Sequence, residues 1–193
     1  MSTPLSTLAD RRNDLTRTLI LEAALATLER SSVGELTVRT VARHANISER
    51  TVFRYFATRD EFLDAIAEAV RARVDLPPPP ETLEDLLAAP RALYTRFDAV
   101  RSLTVAALHS DLFPRMRETQ AKARWMAVRK LIDEAAPERG ERERRIAAAN
   151  IRYYLAASTW HYYRFYFNFS LEDTIACAEA AIRDALAGLG KKL

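Results

Sequence analysis

Residues 36–62, LTVRTVARHANISERTVFRYFATRDEF, decide the fold of this chain. Thr37 has the side chain of an N-cap, with a hydroxyl able to accept from a first-turn amide. Behind it Val38, Val41, Ala42 and Ala45 recur at the spacing of one apolar helix face, leaving Arg39, Thr40, Arg43 and His44 on the remainder. The helix must end at Asn46, since Asn enters the left-handed region more readily than any residue but Gly. Ile47 returns towards the core, and Ser48 caps a second helix whose apolar members Val52, Phe53 and Phe56 keep the spacing of three and four. Glu49, Arg50, Thr51 and Arg54 fall outward, with Tyr55 at the margin. Thr58 opens a third helix with Glu61 three residues on, the pattern of a capping box. Two short helices joined by a tight turn, followed at once by a third, form a helix-turn-helix, whose second helix enters the major groove of DNA.

The outward set suits that task. Arg50 and Arg54 are four apart, so they share a face and can reach guanine edges or phosphates. Thr51 can hydrogen-bond a base or press its methyl on thymine. Ser48, Glu49 and their amides lie at a helix N-terminus, where anions are favoured. From Thr37 to Arg59 the charged residues are Arg39, Arg43, Arg50, Arg54 and Arg59 against Glu49, an excess of four positives. An isolated arginine is ordinarily a solvated side chain. Caps, turn residue, core spacing and local charge occurring together point instead to DNA.

The longer stretch from Ile20 to Leu63, ILEAALATLERSSVGELTVRTVARHANISERTVFRYFATRDEFL, resembles the N-terminal domain of the tetracycline-repressor (TetR) family of bacterial transcription regulators, without a gap. The agreement includes Ile20, Ala23, Ala24, Thr37, Val38, Ala42, Ser48, Thr51, Arg54 and Phe56. The resemblance implies DNA contacts from Thr37, Arg39, Ser48, Glu49, Arg50, Thr51, Phe53, Arg54, Tyr55 and Arg59. Several positions depart from the family's habit. Ser32 stands where a helix-ending glycine is common, and Asn46 replaces the usual turn glycine. Phe53 replaces a tyrosine used on phosphate, with Tyr55 nearby, and Arg59 replaces a backbone-contacting lysine. Arg50 stands where a small residue is frequent, which makes it the expected determinant of operator preference.

Composition agrees with an all-α protein. The 193 residues hold only four glycines, are rich in Ala and Leu, and show no alternating strand pattern or internal repeat. The net charge of +3 is no guide to DNA, because residues 1–75 carry 11 basic and 11 acidic side chains. The single Cys177 excludes an intramolecular disulfide and fits a reducing compartment. MSTPLSTLADRRNDL lacks the apolar core of a signal peptide, and no stretch has the length to span a membrane. A cytoplasmic protein is expected.

Two parts are expected, an N-terminal helix-turn-helix domain over 1–76 and a C-terminal helical ligand-binding and dimerisation domain over 81–193, separated by Pro77-Pro78-Pro79-Pro80. Residues 1–12 read as a flexible arm. Helix one spans about Leu15 to Arg30, burying Leu19, Ile20, Ala23, Ala24 and Leu28, and the helix after the recognition helix spans Arg59 to Val74. Beyond the prolines, Pro90 predicts a kink or break, and Asp111 caps a helix reaching Ala135. A long helix is expected from Glu141 to Phe167, and a last one from Glu172 to Ala187. The long helix is apolar on two sides, and the last carries the small residues Cys177, Ala181, Ala185 and Gly188 on one stripe. TetR-like proteins pair their last two helices across a homodimer, and the same is expected here.

A small apolar or aromatic ligand is expected among Phe97, His109, Met116, Trp125, Met126, Asn150, Tyr153, Tyr154, His161 and Arg164, which mix aromatic bulk with polar tips. An ordinary aromatic core would use the same residues. His109 and His161 have no metal spacing and there is no Glu-x-x-His motif, so neither a metal nor a cofactor is expected. Nothing assembles a nucleophile, base and carboxylate as an enzyme would require. A helical dimer that binds only proteins is the other alternative, and it would leave Arg50, Thr51 and Arg54 without a task. The reading reached is a sequence-specific transcription regulator, a repressor released from a palindromic double-stranded DNA operator by its ligand.

Overall fold

The computed structural model describes residues 8–30 and 36–191. Ser32, and residues 1–7 of the expected arm, lie outside them. Among the described residues the chain is helical throughout, without strands: α1 (Leu8–Arg30), α2 (Val38–His44), α3 (Glu49–Tyr55), α4 (Arg59–Val74), α5 (Leu83–Ala99), α6 (Arg101–Leu108), α7 (Leu112–Ala135), α8 (Glu141–Tyr154), α9 (Ala157–His161), a π-helical turn (Tyr162–Tyr166) and α10 (Leu171–Gly188).

The turn forms as its sequence dictates. Thr37 accepts from the Thr40 amide, and the Thr40 hydroxyl accepts in return from the Thr37 amide. Asn46 is left-handed at φ 54°, and the Ile47 amide reaches back to the Ala42 carbonyl at 2.9 Å, closing α2 with a Schellman-type bond. Ser48 caps α3 and Thr58 caps α4, while Glu61 accepts from the Ala57 amide at 2.8 Å. Val41, Ala42, Val52, Phe56, Phe62 and Leu63 are buried together with Ile20, Ala23 and Ala24 of α1.

Five expectations need correction. First, residues 8–12 belong to α1 and are not part of an arm. Second, Leu19 is half exposed, because α1 buries the stripe of Ile20, Ala23, Ala24, Thr27 and Leu28, and Leu19 falls outside it. Third, Pro90 lies buried inside an unbroken α5. It withholds one amide from the Leu86 carbonyl, but packing of Leu86, Leu93 and Tyr94 on either side offsets that loss. Fourth, Asp111 makes no side-chain cap to α7 and instead accepts from Arg59 at 2.8 Å.

Fifth, the long helix is interrupted after Tyr154. The Tyr94 hydroxyl donates to the Tyr154 carbonyl at 2.5 Å, and the Thr159 hydroxyl donates to the Tyr153 carbonyl at 2.6 Å. These two carbonyls are therefore satisfied from outside the helix, and Ala156 becomes extended before α9 begins. The two apolar sides expected of one continuous helix consequently separate: Trp160 is fully buried while Tyr153 is 62% exposed.

Beyond α4, α8 lies between α7 and α10, and α10 packs on α5. The charged run at the start of α8 is tied down rather than merely solvated. Arg129 and Arg144 each bridge Asp133 of α7 and Glu141 of α8, at 2.5–3.2 Å, with both guanidiniums sheltered. The two parts of the chain share a continuous apolar core, with α1 against α6 and α4 against α7.

The left-handed turn residue gives a direct stability test. Asn46→Gly should keep or raise the urea unfolding midpoint, whereas Asn46→Val should lose roughly 1–2 kcal/mol, the cost of a side chain held at positive φ. Equal stability of the two variants would contradict this role.

Candidate nucleic-acid interface and an adjoining cavity

Helix α3 buries Val52 at its inner side, with Phe56 just beyond its end, and leaves Glu49, Arg50, Phe53 and Arg54 exposed. Phe53, expected on the apolar face, is 45% exposed, because two turns of helix offer only the narrow Val52–Phe56 line to the core. Ser48 and Thr51 share a hydroxyl contact of 2.9 Å at the helix start, and Thr37 lies exposed at the start of α2. Arg39 pairs with Glu49 at 3.2 Å, so α2 and α3 are laced across their outer faces. Arg54 lies over the Tyr55 ring at 5.3 Å.

Tyr55 is half-buried against α1. Its phenol is held below the usual value, first by the Thr16 hydroxyl and then by the cations of Arg54 and Arg12. Arg17, also on α1, lies over the Phe56 ring at 5.2 Å, so α1 brackets both aromatic residues at the end of the recognition helix. Arg59 is held by Asp111. With Arg39 and Arg59 engaged, Arg43, Arg50 and Arg54 project as cations with no ion pair among the described residues. Helix α3 is thus capped by Ser48 and presents Arg50 and Arg54, four apart, on its outer face without an ion pair among the described residues.

About two helical turns along α4 from Phe62, a cavity of about 590 Å³ opens among α4, α5, α6, α7 and α8. Of the residues expected there, Phe97, Met116, Trp125 and Tyr153 line it. His109, Met126, Asn150, Tyr154, His161 and Arg164 do not. Met126 and Asn150 are exposed on outer faces, and Arg164 ties the π-helical turn to α5 through Asp98 at 2.9 Å. Burial works against the Asp98 carboxylate, but hydrogen bonds from Arg101 and Arg164 hold it below its usual range.

His109 and His161 do meet, at 3.4 Å between their Nε2 atoms, with Phe165 stacked on the second ring. No group of three metal-ligating side chains exists among the described residues. Sequence reasoning missed the rest of the wall: Val70, Arg71 and Val74 of α4, Phe113, Arg117 and Arg124 of α7, and Arg152 of α8. Their apolar members keep the spacing of any core-facing helix side, and arginines on an amphipathic helix are ordinarily solvated.

The pattern described as "Bacterial regulatory proteins, tetR family" matches residues 20–66. That match spans about a quarter of the chain and contains α2 and α3. The chain is 37% identical over 54 residues to uncharacterised HTH-type transcriptional regulators of Mycobacterium bovis and Mycobacterium tuberculosis, and that similarity covers 28% of this chain and 25% of each relative. NalD of Pseudomonas aeruginosa, the secondary repressor of the MexAB-OprM multidrug efflux pump, superposes with a TM-score of 0.56 at 18% identity, over 92% of this chain and 96% of its own. A TetR-family regulator from Mesorhizobium loti gives 0.52 at 15% identity, covering 91% and 97%. A TetR protein of Acinetobacter baumannii in complex with minocycline gives 0.50 at 18% identity, covering 90% and 96%. The TetR architecture thus extends through the C-terminal helices as a fold. Among the described residues no helix is long and apolar enough to cross a membrane.

The histidine pair makes stability pH-dependent with a defined sign. Burial first, and His109 second, lower the pKa of His161. The unfolded chain therefore takes up the proton more readily, and stability is lost as pH falls through the ordinary imidazole value. Between about pH 7.5 and 5.5 the melting temperature should drop, and it should drop less in His161→Gln. An equal drop in both proteins would remove this pair as the cause.

Proposed function

We propose that this protein is a homodimeric, sequence-specific transcription repressor that leaves a palindromic operator when a small molecule occupies the cavity. The observation that carries the reading is the exposed Arg50–Arg54 face of α3 within a TetR-family domain. In a dimer, two such helices would enter successive major grooves about 34–36 Å apart. A repressor is favoured over an activator because NalD, a similar fold, is a repressor. Action on chromosomal DNA implies a cytoplasmic protein.

Ligand control is supported by α4. Its Phe62 ring lies 5.4 Å from Phe56 at the end of the recognition helix, while its Val70, Arg71 and Val74 wall the cavity. A molecule that fits one placement of α4 better than another shifts the recognition helices by that difference in affinity. The minocycline complex of the A. baumannii TetR protein shows a small molecule bound to a protein of this fold. An apolar or aromatic ligand suits Phe97, Met116, Trp125 and Tyr153.

Dimerisation through the C-terminal helices is supported by surface that a monomer would leave in water. Tyr162, Phe165, Tyr166, Phe167 and Phe169 are all more than a third exposed around the π-helical turn. Cys177, Ala181 and Ala185 of α10 are half-buried and Gly188 is exposed along one stripe.

Fluorescence anisotropy on duplex DNA from the chain's own upstream region, across a salt series, tests the reading. Arg54→Ala and Arg50→Ala should each cost about 1–3 kcal/mol where they read bases, or flatten the salt slope by about one where they bind phosphate. Tight binding that survives loss of both arginines would contradict it.

A further inference from the structure

The cavity's charge is at odds with its apolar walls. Arg117, Arg124 and Arg152 all line it, from two facing helices. Elsewhere most half-buried guanidiniums are matched by carboxylates, Arg139, which donates to the Leu189 carbonyl, being an exception. Arg115 takes Asp60 and Asp64, Arg129 and Arg144 take Asp133 and Glu141, and Arg164 takes Asp98. Arg71, on the cavity wall itself, is paired with Glu68. Half-buried Arg152 has no such partner among the described residues, and the exposed Arg117 lies beside it. Burial, and then the neighbouring Arg117 cation, press the Arg152 pKa downward; burial and Arg152 do the same to Arg124. Arg124 also donates to the Pro77 carbonyl at 2.8 Å.

A half-buried guanidinium such as Arg152, set beside other cations and without a carboxylate, is unfavourable, and the energy is recovered when an anion arrives. Around them the surface is that of an apolar tail site: Leu93, Phe97, Leu108, Phe113, Met116 and Trp125. We infer that the cavity takes an amphipathic monoanion, an alkyl or aryl carboxylate, whose acid group pairs with Arg152 beside Arg124 and Arg117 while its tail lies against Phe97, Met116 and Trp125. The inference rests on the ligand-responsive reading above and adds the charge of the ligand to it. A volume of about 590 Å³ holds such a molecule with room for water at its head. The head group would also compete with the Pro77 carbonyl for Arg124, which places the ligand's charge against the first residue of the tetraproline segment.

Isothermal titration of the full-length protein with decanoate and with 1-decanol tests this, without DNA present. Decanoate should bind more tightly than the alcohol and weaken as salt rises. Arg152→Leu should weaken decanoate about tenfold or more and leave decanol within about twofold. Arg152→Lys, which keeps the charge, should fall between wild type and leucine and guards against a variant that fails to fold. Equal binding of acid and alcohol, or indifference of decanoate to Arg152→Leu, would overturn the anionic assignment while leaving a ligand cavity. Failure of both probes to bind would overturn it together with the ligand-responsive reading. Release of operator DNA is measured separately, so tight decanoate binding without release would uphold the assignment and count against control of DNA by this cavity.

Discussion

One helix has to satisfy two cores at once. The N-terminal half of α4 puts Phe62 and Leu63 under the helix-turn-helix, Ile66 lies buried at its middle, and its C-terminal half puts Val70 and Val74 under the helices that follow. Those five side chains are all at most 5% exposed, so any shift of the helix is felt in both cores at once. Arg115 of α7 adds a fork onto Asp60 and Asp64, and Asp111 holds Arg59 at the helix start. These pairs are at the surface and each contributes little, but they act in one direction and register α7 against the same two turns of α4. The apolar packing sets the position, and the charges sharpen it.

That constraint explains the division of arginines over the molecule. Where a guanidinium joins two helices it finds a carboxylate, as at α4–α7, α7–α8 and between the π-helical turn and α5. Arg50 and Arg54 on the outer face of α3, and Arg152 at the cavity, have none among the described residues. The fully buried Trp160 is another local cost. Its indole N–H meets no acceptor among the described residues, which typically costs about 1–3 kcal/mol, and its packing against Phe97 and Phe165 offsets that.

The N-terminal domain was legible because its signals are local. Thr37, Asn46, Ser48 and Thr58 each fix a helix end by chemistry within four residues, and the start of α4 follows from the last of them. The C-terminal helices were legible as helices but not in their breaks. Nothing in the run from Tyr154 to Trp160 announces an interruption, since no Gly or Pro occurs there. The break comes from Tyr94, sixty residues earlier in the chain, bonding the Tyr154 carbonyl. The cavity was half legible for the same reason. Phe97, Met116, Trp125 and Tyr153 have the right chemistry, but which aromatic residues converge depends on how α8 ends. Arg152 on α8 reads locally as a solvated residue, and only the fold turns it inward.

If α4 fixes the recognition helix to the helical body, the two recognition helices of the proposed dimer cannot move independently. A nitroxide at Ala57→Cys, just beyond α3, in a Cys177→Ser background reports this through the inter-protomer distance distribution measured by pulsed electron resonance. The account predicts one narrow distribution in the free protein. A broad distribution, as from two heads swinging freely on the body, or the absence of any inter-protomer distance, would contradict it.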